Sequence, residues 1–135
     1  MHQFATIIPI GPGTKELERA RDLLESLFVH EPSATLVVLL DDGGRDRNLP
    51  SNYSCPSTCR LVSIQNPRNG RGVGPTSGLA AGMIAALSWI ERNAPGHHAL
   101  KLDTDALIVA PFSQRLCSVF ASKPEVGMIG LYRRN

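Results

Sequence analysis

The feature that most constrains this chain is the run from Ala34 to Leu40, where branched aliphatic residues follow one another almost without polar interruption. A strand with one solvated face would alternate. A continuous aliphatic run reads instead as a strand covered on both faces, as in parallel sheets wrapped by helices. The rest of the chain agrees with this. Phe4 to Ile10 reads as a first strand stopped by Gly11-Pro12-Gly13-Thr14, and a helix follows in which Leu17, Ala20, Leu24, Leu27 and Phe28 recur at three- and four-residue steps. After Ala34 to Leu40, the Pro-, Ser- and Asn-rich stretch from Asn48 to Thr58 reads as a surface loop, and Arg60 to Gln65 as a third strand. Asn66 to Gly74 is a Gly- and Arg-containing loop. Pro75 suits a helix start, and the helix to Asn93 would set Leu79, Met83, Ala86 or Leu87, and Ile90 on one face. Ala99 to Leu102 is a fourth strand. A helix with Phe112, Leu116, Val119 and Phe120 inward comes next, and Val126 to Tyr132 is expected as a last strand. Strands alternating with helices predict an α/β fold around a mostly parallel sheet, with residues 1–135 forming a single domain.

Composition narrows the function classes. Hydrophobic residues make up 42% and charged residues 19%, so a packed core is expected rather than disorder. The 14 Lys and Arg against 12 Asp and Glu leave a net charge of only +2, without a basic patch, which argues against nucleic acid as a partner. No apolar stretch approaches the roughly 20 residues that span a bilayer, so no transmembrane segment and a cytoplasmic setting are expected. Cys55, Cys59 and Cys117 lack the second close pair of a zinc ribbon and read as free thiols in a reducing compartment.

In open parallel sheets the ligand crevice lies beyond the carboxyl ends of the strands, and this sequence gathers its unusual residues there. Gly11 follows the first strand, Asp41 and Asp42 the second, and Asp103 the fourth. If the fourth strand stays extended, Asp103 and Asp105 at i and i+2 face the same side and can share one ligand. Carboxylates crowded at one sheet edge repel by about 4 kcal/mol for a pair about 4 Å apart at an effective dielectric near 20, and a cation relieves this. Hard oxygen ligands point to Mg2+ or Mn2+, ions that keep positions open for substrate phosphates. The chemistry that fits is transfer from a nucleoside diphosphate. Glu16 and Glu18, in the first turn of the first helix, would repel a phosphate, so none is expected at that helix start.

These residues carry a family resemblance. Ile7-Ile8-Pro9, Leu23-Leu24-Glu25-Ser26-Leu27, Val38-Leu39-Leu40-Asp41-Asp42-Gly43 with Asp46, Asn69-Gly70, Gly78-Leu79 with Ala80-Ala81-Gly82, and Leu102-Asp103-Thr104-Asp105 with Pro111 together resemble the first part of a family-2 glycosyltransferase of the GT-A fold. The resemblance runs over nearly the whole chain. It implies a Rossmann-like three-layer sandwich that binds a nucleoside-diphosphate sugar, with a UDP-sugar favoured as donor. Pro9 and Gly11 would then border the nucleotide and Asp41 contact the base. Asp103 would face the ribose or a metal-bound water, and Asp105 would hold the metal. Arg71 is the candidate for the diphosphate. Gly44 stands where the family has Ser or Thr, and the stretch from Gly72 to Ser77 lacks its common Asn. Full enzymes of the family continue into acceptor-binding segments with a catalytic base. The resemblance therefore implies a partial domain, completed by a C-terminal domain or a partner chain, with the acceptor undefined. His97 and His98 precede the Asp-Thr-Asp and do not match the family's further metal-ligating His.

Three rival readings are weaker. A nucleotide-sugar-binding module without catalysis would need only the half of the site that is present. A sugar-phosphate nucleotidyltransferase would use Gly11-Pro12-Gly13-Thr14-Lys15 as its Gly-rich loop, but the lysine-proline element expected shortly after is missing. A haloacid-dehalogenase-like phosphatase would need Thr or Val where Leu107 stands. Neither a P-loop nor a complete dinucleotide fingerprint occurs.

Overall fold

The structure is a computed structural model, and it describes residues 4–32, 34, 36–43, 47–67 and 78–130. Four parallel strands, β1 (Phe4–Ile10), β2 (Leu36–Asp41), β3 (Arg60–Gln65) and β4 (His98–Lys101), form one sheet in the order β3-β2-β1-β4. The chain winds outward from β1 through β2 to β3, then returns to the opposite side of β1 with β4. The connection thus reverses direction at β1, between its partners β2 and β4.

Helix α1 (Thr14–His30) covers one face of the sheet. Its Ala20, Leu23, Leu24 and Leu27 pack with Ile8 and Ile10 of β1, Val37 and Leu39 of β2, and Leu49 of a 3₁₀ turn (Leu49–Asn52). These positions recur at three- and four-residue steps, so one stripe of the helix is apolar. Helix α2 (Gly78–Asn93) covers the other face, where Ala5, Ile7, Leu36, Val38 and Leu40 meet Ala86 and Ile90. Alternate residues of β1 and β2 therefore supply both cores, and all six residues of β2 are buried. The doubly covered strand expected from the aliphatic run is present, beginning at Leu36.

The buried row of α2 is Gly78, Gly82, Ala86 and Ile90, one residue off the row expected from the larger side chains. Leu79 and Met83 are half-buried, and Leu87 is exposed. Small residues let the helix backbone approach the sheet closely. A Cβ at Gly82 would lie 2.8 Å from Leu40 Cδ2 and 2.9 Å from Asn66 Nδ2. Pro75 to Ser77, the expected start of this helix, lie outside the described residues.

Helix α3 (Ser113–Ser122) has no fully buried residue. Its Phe120 stacks on His98 of β4 with ring centroids 4.4 Å apart, and Phe4 lies 5.5 Å from the other side of that ring. His98 is thus a half-buried strand residue in an aromatic stack, one position ahead of the expected start of this strand. The expected last strand is corrected over its described part: residues 126–130 form none, Val126 N–H instead closes a turn onto Lys123 C=O at 3.0 Å, and Leu131 and Tyr132 lie outside the described residues. Gly127 and Gly130 weaken a strand there, and Met128 is 88% exposed. Apolar content without a paired edge does not make a strand.

Candidate functional site

Beyond the carboxyl ends of the strands lies a cavity of about 360 Å³. It draws Pro9, Gly11 and Pro12 from the end of β1, Leu40 and Asp42 from β2, Asn66 from β3, Leu79 from α2, Glu16 from α1, and Asp103 and Thr104 from the loop after β4. It sits where β1 and β4 part, at the topological switch point of the sheet.

Pairing of β1 with β4 ends at Ile7↔Lys101, with one further bond from Leu102 N–H to Ile7 C=O at 3.0 Å. The peptide edge of residue 7 faces β4, so two residues on, Pro9 turns its edge to the same side. β4 has already diverged there, and proline loses no ladder bond. On the other side of β1 the pairing continues to the end, with Asp42 N–H donating to Ile10 C=O at 2.9 Å.

Asp41, the expected base contact, is buried and held on one oxygen. Its Oδ1 accepts from Gly43 N–H at 2.8 Å and from Arg47 Nε and Nη2 at 3.0 and 2.5 Å. The same guanidinium donates from Nη1 to Gly11 C=O at 3.0 Å and from Nη2 to Ile10 C=O at 3.2 Å. Arg47 therefore ties the end of β2 to the end of β1. Gly43 leaves room for this, since a Cβ there would lie 2.4 Å from Arg47 Nε. It is Asp42, the next residue, that lines the cavity.

Asp103 and Asp105 do not lie on an extended segment. Ala106 N–H donates to Asp103 C=O at 3.0 Å, so residues 103–106 form a turn and the alternation expected from a strand does not apply. β4 stops at Lys101 because its pairing with β1 stops there. The Asp103 side chain is 60% exposed and accepts from Lys101 Nζ at 2.5 Å, while Asp105 is exposed at the third position of the turn. Thr104, between them, is buried, and its hydroxyl donates to Glu16 Oε2 at 2.6 Å. Among the described residues, no group of three His, Cys, Asp or Glu side chains converges as a metal site. The turn offers the hard oxygens of Asp103 and Asp105, which suit Mg2+ or Mn2+ if phosphate oxygens and water fill the other positions.

The segment after the turn is laid along α1. Ser26 Oγ accepts from Ile108 N–H at 3.0 Å, and Glu31 accepts from Phe112 N–H, from Ser113 N–H at 2.8 Å and from Ser113 Oγ at 2.5 Å. Glu31 thus caps α3 from a distant part of the chain, in place of a local capping side chain. Burial pushes its carboxyl up, but the Ser113 hydroxyl, the N–H groups of Phe112 and Ser113, and His30 hold it below its ordinary value.

Arg71, Gly44, Asp46 and Asn69-Gly70 lie outside the described residues. None of the three cysteines forms a disulfide, and burial, with Cys55 nearby, pushes the Cys59 thiol up to about 11. Among the described residues, no helix is long and apolar enough to cross a membrane. Sequence reasoning missed Arg47, Asn66 and the anchoring of Thr104. Asn66 had a usable signal, because it directly follows β3 at the carboxyl end of the sheet. Its buried amide donates to Gly78 C=O at 3.1 Å, and its N–H to Asp41 C=O at 2.7 Å. Arg47 follows the turn after β2 with no marker to set it apart from a solvated arginine.

No family model and no curated protein sequence matches the chain. Its structure is similar to the crystal structure of TarS 1-349 from S. aureus, a glycosyltransferase, with a TM-score of 0.52 and 19% sequence identity. The match covers 97% of this chain and 38% of that one, so the chain spans under half the length of its neighbour. At this identity the likeness speaks for the fold. The chain has a GT-A-like Rossmann fold, with a four-stranded parallel sheet between helices.

Proposed function

We propose that this chain binds a nucleoside-diphosphate sugar together with Mg2+ or Mn2+, as the donor-binding part of a glycosyltransferase. The observation that carries the reading is the cavity at the switch point, where Asp103 and Thr104 stand beside Pro9, Gly11 and Asp42. Its lining combines apolar Pro9, Pro12, Leu40 and Leu79 with acidic Glu16, Asp42 and Asp103. A flat base suits the first group, and a cation bridging to a diphosphate suits the second.

In this reading Asp103 and Asp105 would hold the ion, and Lys101 would give up its contact with Asp103 to it. When bound, the ion would neutralise charge that develops on the leaving diphosphate. Arg47 keeps Asp41 in one orientation at the base end, and Pro9 and Gly11 flank the nucleotide. Arg71 is the proposed partner of the diphosphate. Transfer to an acceptor needs a positioned hydroxyl and, for inversion, a base within hydrogen-bond reach. Those groups are assigned to a C-terminal domain or partner chain, and the chain by itself is expected to hydrolyse donor slowly at most.

Calorimetric titration of uridine diphosphate with and without Mn2+ tests the reading. Binding should strengthen at least about tenfold with the ion, the scale of one hydrogen bond to a charged group. Asp105→Asn should remove the dependence. Equal affinity in a chelator would sink the metal role.

A further inference from the structure

We propose that Glu16 is a positioning residue for the Asp103-Thr104-Asp105 turn and acts through the Thr104 hydroxyl. This rests on the donor-binding reading above. The turn itself is weakly defined: one backbone bond, from Ala106 N–H to Asp103 C=O, closes it, and the acids on either side of Thr104 are exposed. Such a turn does not fix where two carboxylates point. Thr104 does, because it is 7% exposed and its hydroxyl donates at 2.6 Å to Glu16 Oε2, the short distance of a hydrogen bond to a charged acceptor.

Glu16 is itself held. Its Oε1 accepts from Arg19 Nη1 at 3.0 Å, one turn along the same helix. At the end of β1, Gly11 leaves it space, since a Cβ there would lie 3.2 Å from Glu16 Cγ. Farther along, Ser26 of α1 and Glu31, the residue that follows the helix, fix residues 108 and 112–113. The segment after β4 is therefore fastened at three places along α1 and its C-terminal cap, and Glu16 fastens the end that bears the acids. A carboxylate in the first turn of a helix beside the proposed donor site would repel phosphate if it were unengaged, and here it accepts from a threonine.

The test uses the full chain, Mn2+ and uridine diphosphate, with Glu16→Ala, Thr104→Val, both together, and Thr104→Ser. Glu16→Ala and Thr104→Val should each weaken metal-dependent binding by about tenfold, the smaller end of what a hydrogen bond to a charged group contributes. The double variant should be no weaker than either single one, and Thr104→Ser should restore wild-type affinity. Melting curves check that each variant is folded. Loss with Glu16→Ala but not Thr104→Val would mean that Glu16 meets the ligand directly and would overturn the proposal, as would losses that multiply in the double variant. Binding abolished by Asp105→Asn but indifferent to Glu16 and Thr104 sinks the positioning role alone. A wild-type chain that binds no uridine diphosphate at any Mn2+ concentration sinks the donor reading and this role with it.

Discussion

Asp41 and Asp103 are both acids at carboxyl ends of parallel strands, in similar-looking motifs, yet the protein treats them in opposite ways. Asp41 is buried and gripped by Arg47, whose guanidinium also binds two carbonyls of β1. Asp103 is 60% exposed and meets one flexible lysine. The first carboxylate is built into the scaffold and held in one orientation through Oδ1. The second has a partner that a cation can displace at small cost. Position at a strand end thus marks a place for chemistry, while the partners decide whether the group is available.

The largest effect that could break this comparison comes from Arg47. Arg47→Met should destabilise the chain by about 3 kcal/mol, because among the described residues it leaves this buried carboxylate with the Gly43 N–H alone. Urea unfolding followed by circular dichroism would measure this, and Asp41→Asn added to Arg47→Met should recover part of the loss. A midpoint unchanged by Arg47→Met would mean that the Asp41 end is no more built-in than the Asp103 end.

Glu31 sharpens the comparison from the other side of the loop, as a buried carboxylate whose partners are two backbone N–H groups and the Ser113 hydroxyl. Glu31→Ala should cost about 2 kcal/mol at pH 7. Because the folded protein holds this carboxyl below its ordinary value of 4.5, its contribution is complete above that pH and is lost as pH falls through the lower folded value. The gap between wild-type and variant urea midpoints should therefore be full at pH 7 and narrow in acid. A gap that widens in acid would reverse the sign and refute the capping role.

The smallest effect on stability is expected at Lys101. Lys101→Met should change it by no more than about 0.5 kcal/mol, as for other exposed ion pairs. Mn2+ affinity should rise, since a competing cation has been removed from Asp103. Unfolding midpoints and metal titrations read the two separately. A clear loss of stability would show that Asp103 is as firmly built in as Asp41.

The fold was legible because burial on both faces leaves a continuous signal: β2 needs Val37, Val38, Leu39 and Leu40 all apolar, and no other element tolerates that run so well. β1 was bounded by the Gly11-Pro12-Gly13-Thr14 break that follows it, and β3 by the Gly- and Arg-containing stretch that begins at Asn66. Residues 126–130 misled because apolar content says nothing about whether a neighbouring strand edge is free. At the site, sequence marked Pro9, Gly11 and Asp103, which line the cavity, because strand ends are visible in the pattern. It could not foresee that Asp41 would be taken up by Arg47 or that Asp103 to Ala106 would turn. Both depend on contacts across the fold, and the Glu16 to Thr104 bond joins residues 88 apart in the chain.

Pro9 has a consequence beyond the loss of one donor. Two parallel strands that begin to separate can zip together again whenever the next N–H meets a free carbonyl, and a slip of β4 by two residues would bring that about. With no hydrogen to offer, position 9 can answer such a slip only with its carbonyl, so re-lacing the mouth between β1 and β4 gains half of what another residue would return there. The opening is thereby favoured by covalent chemistry in β1 itself.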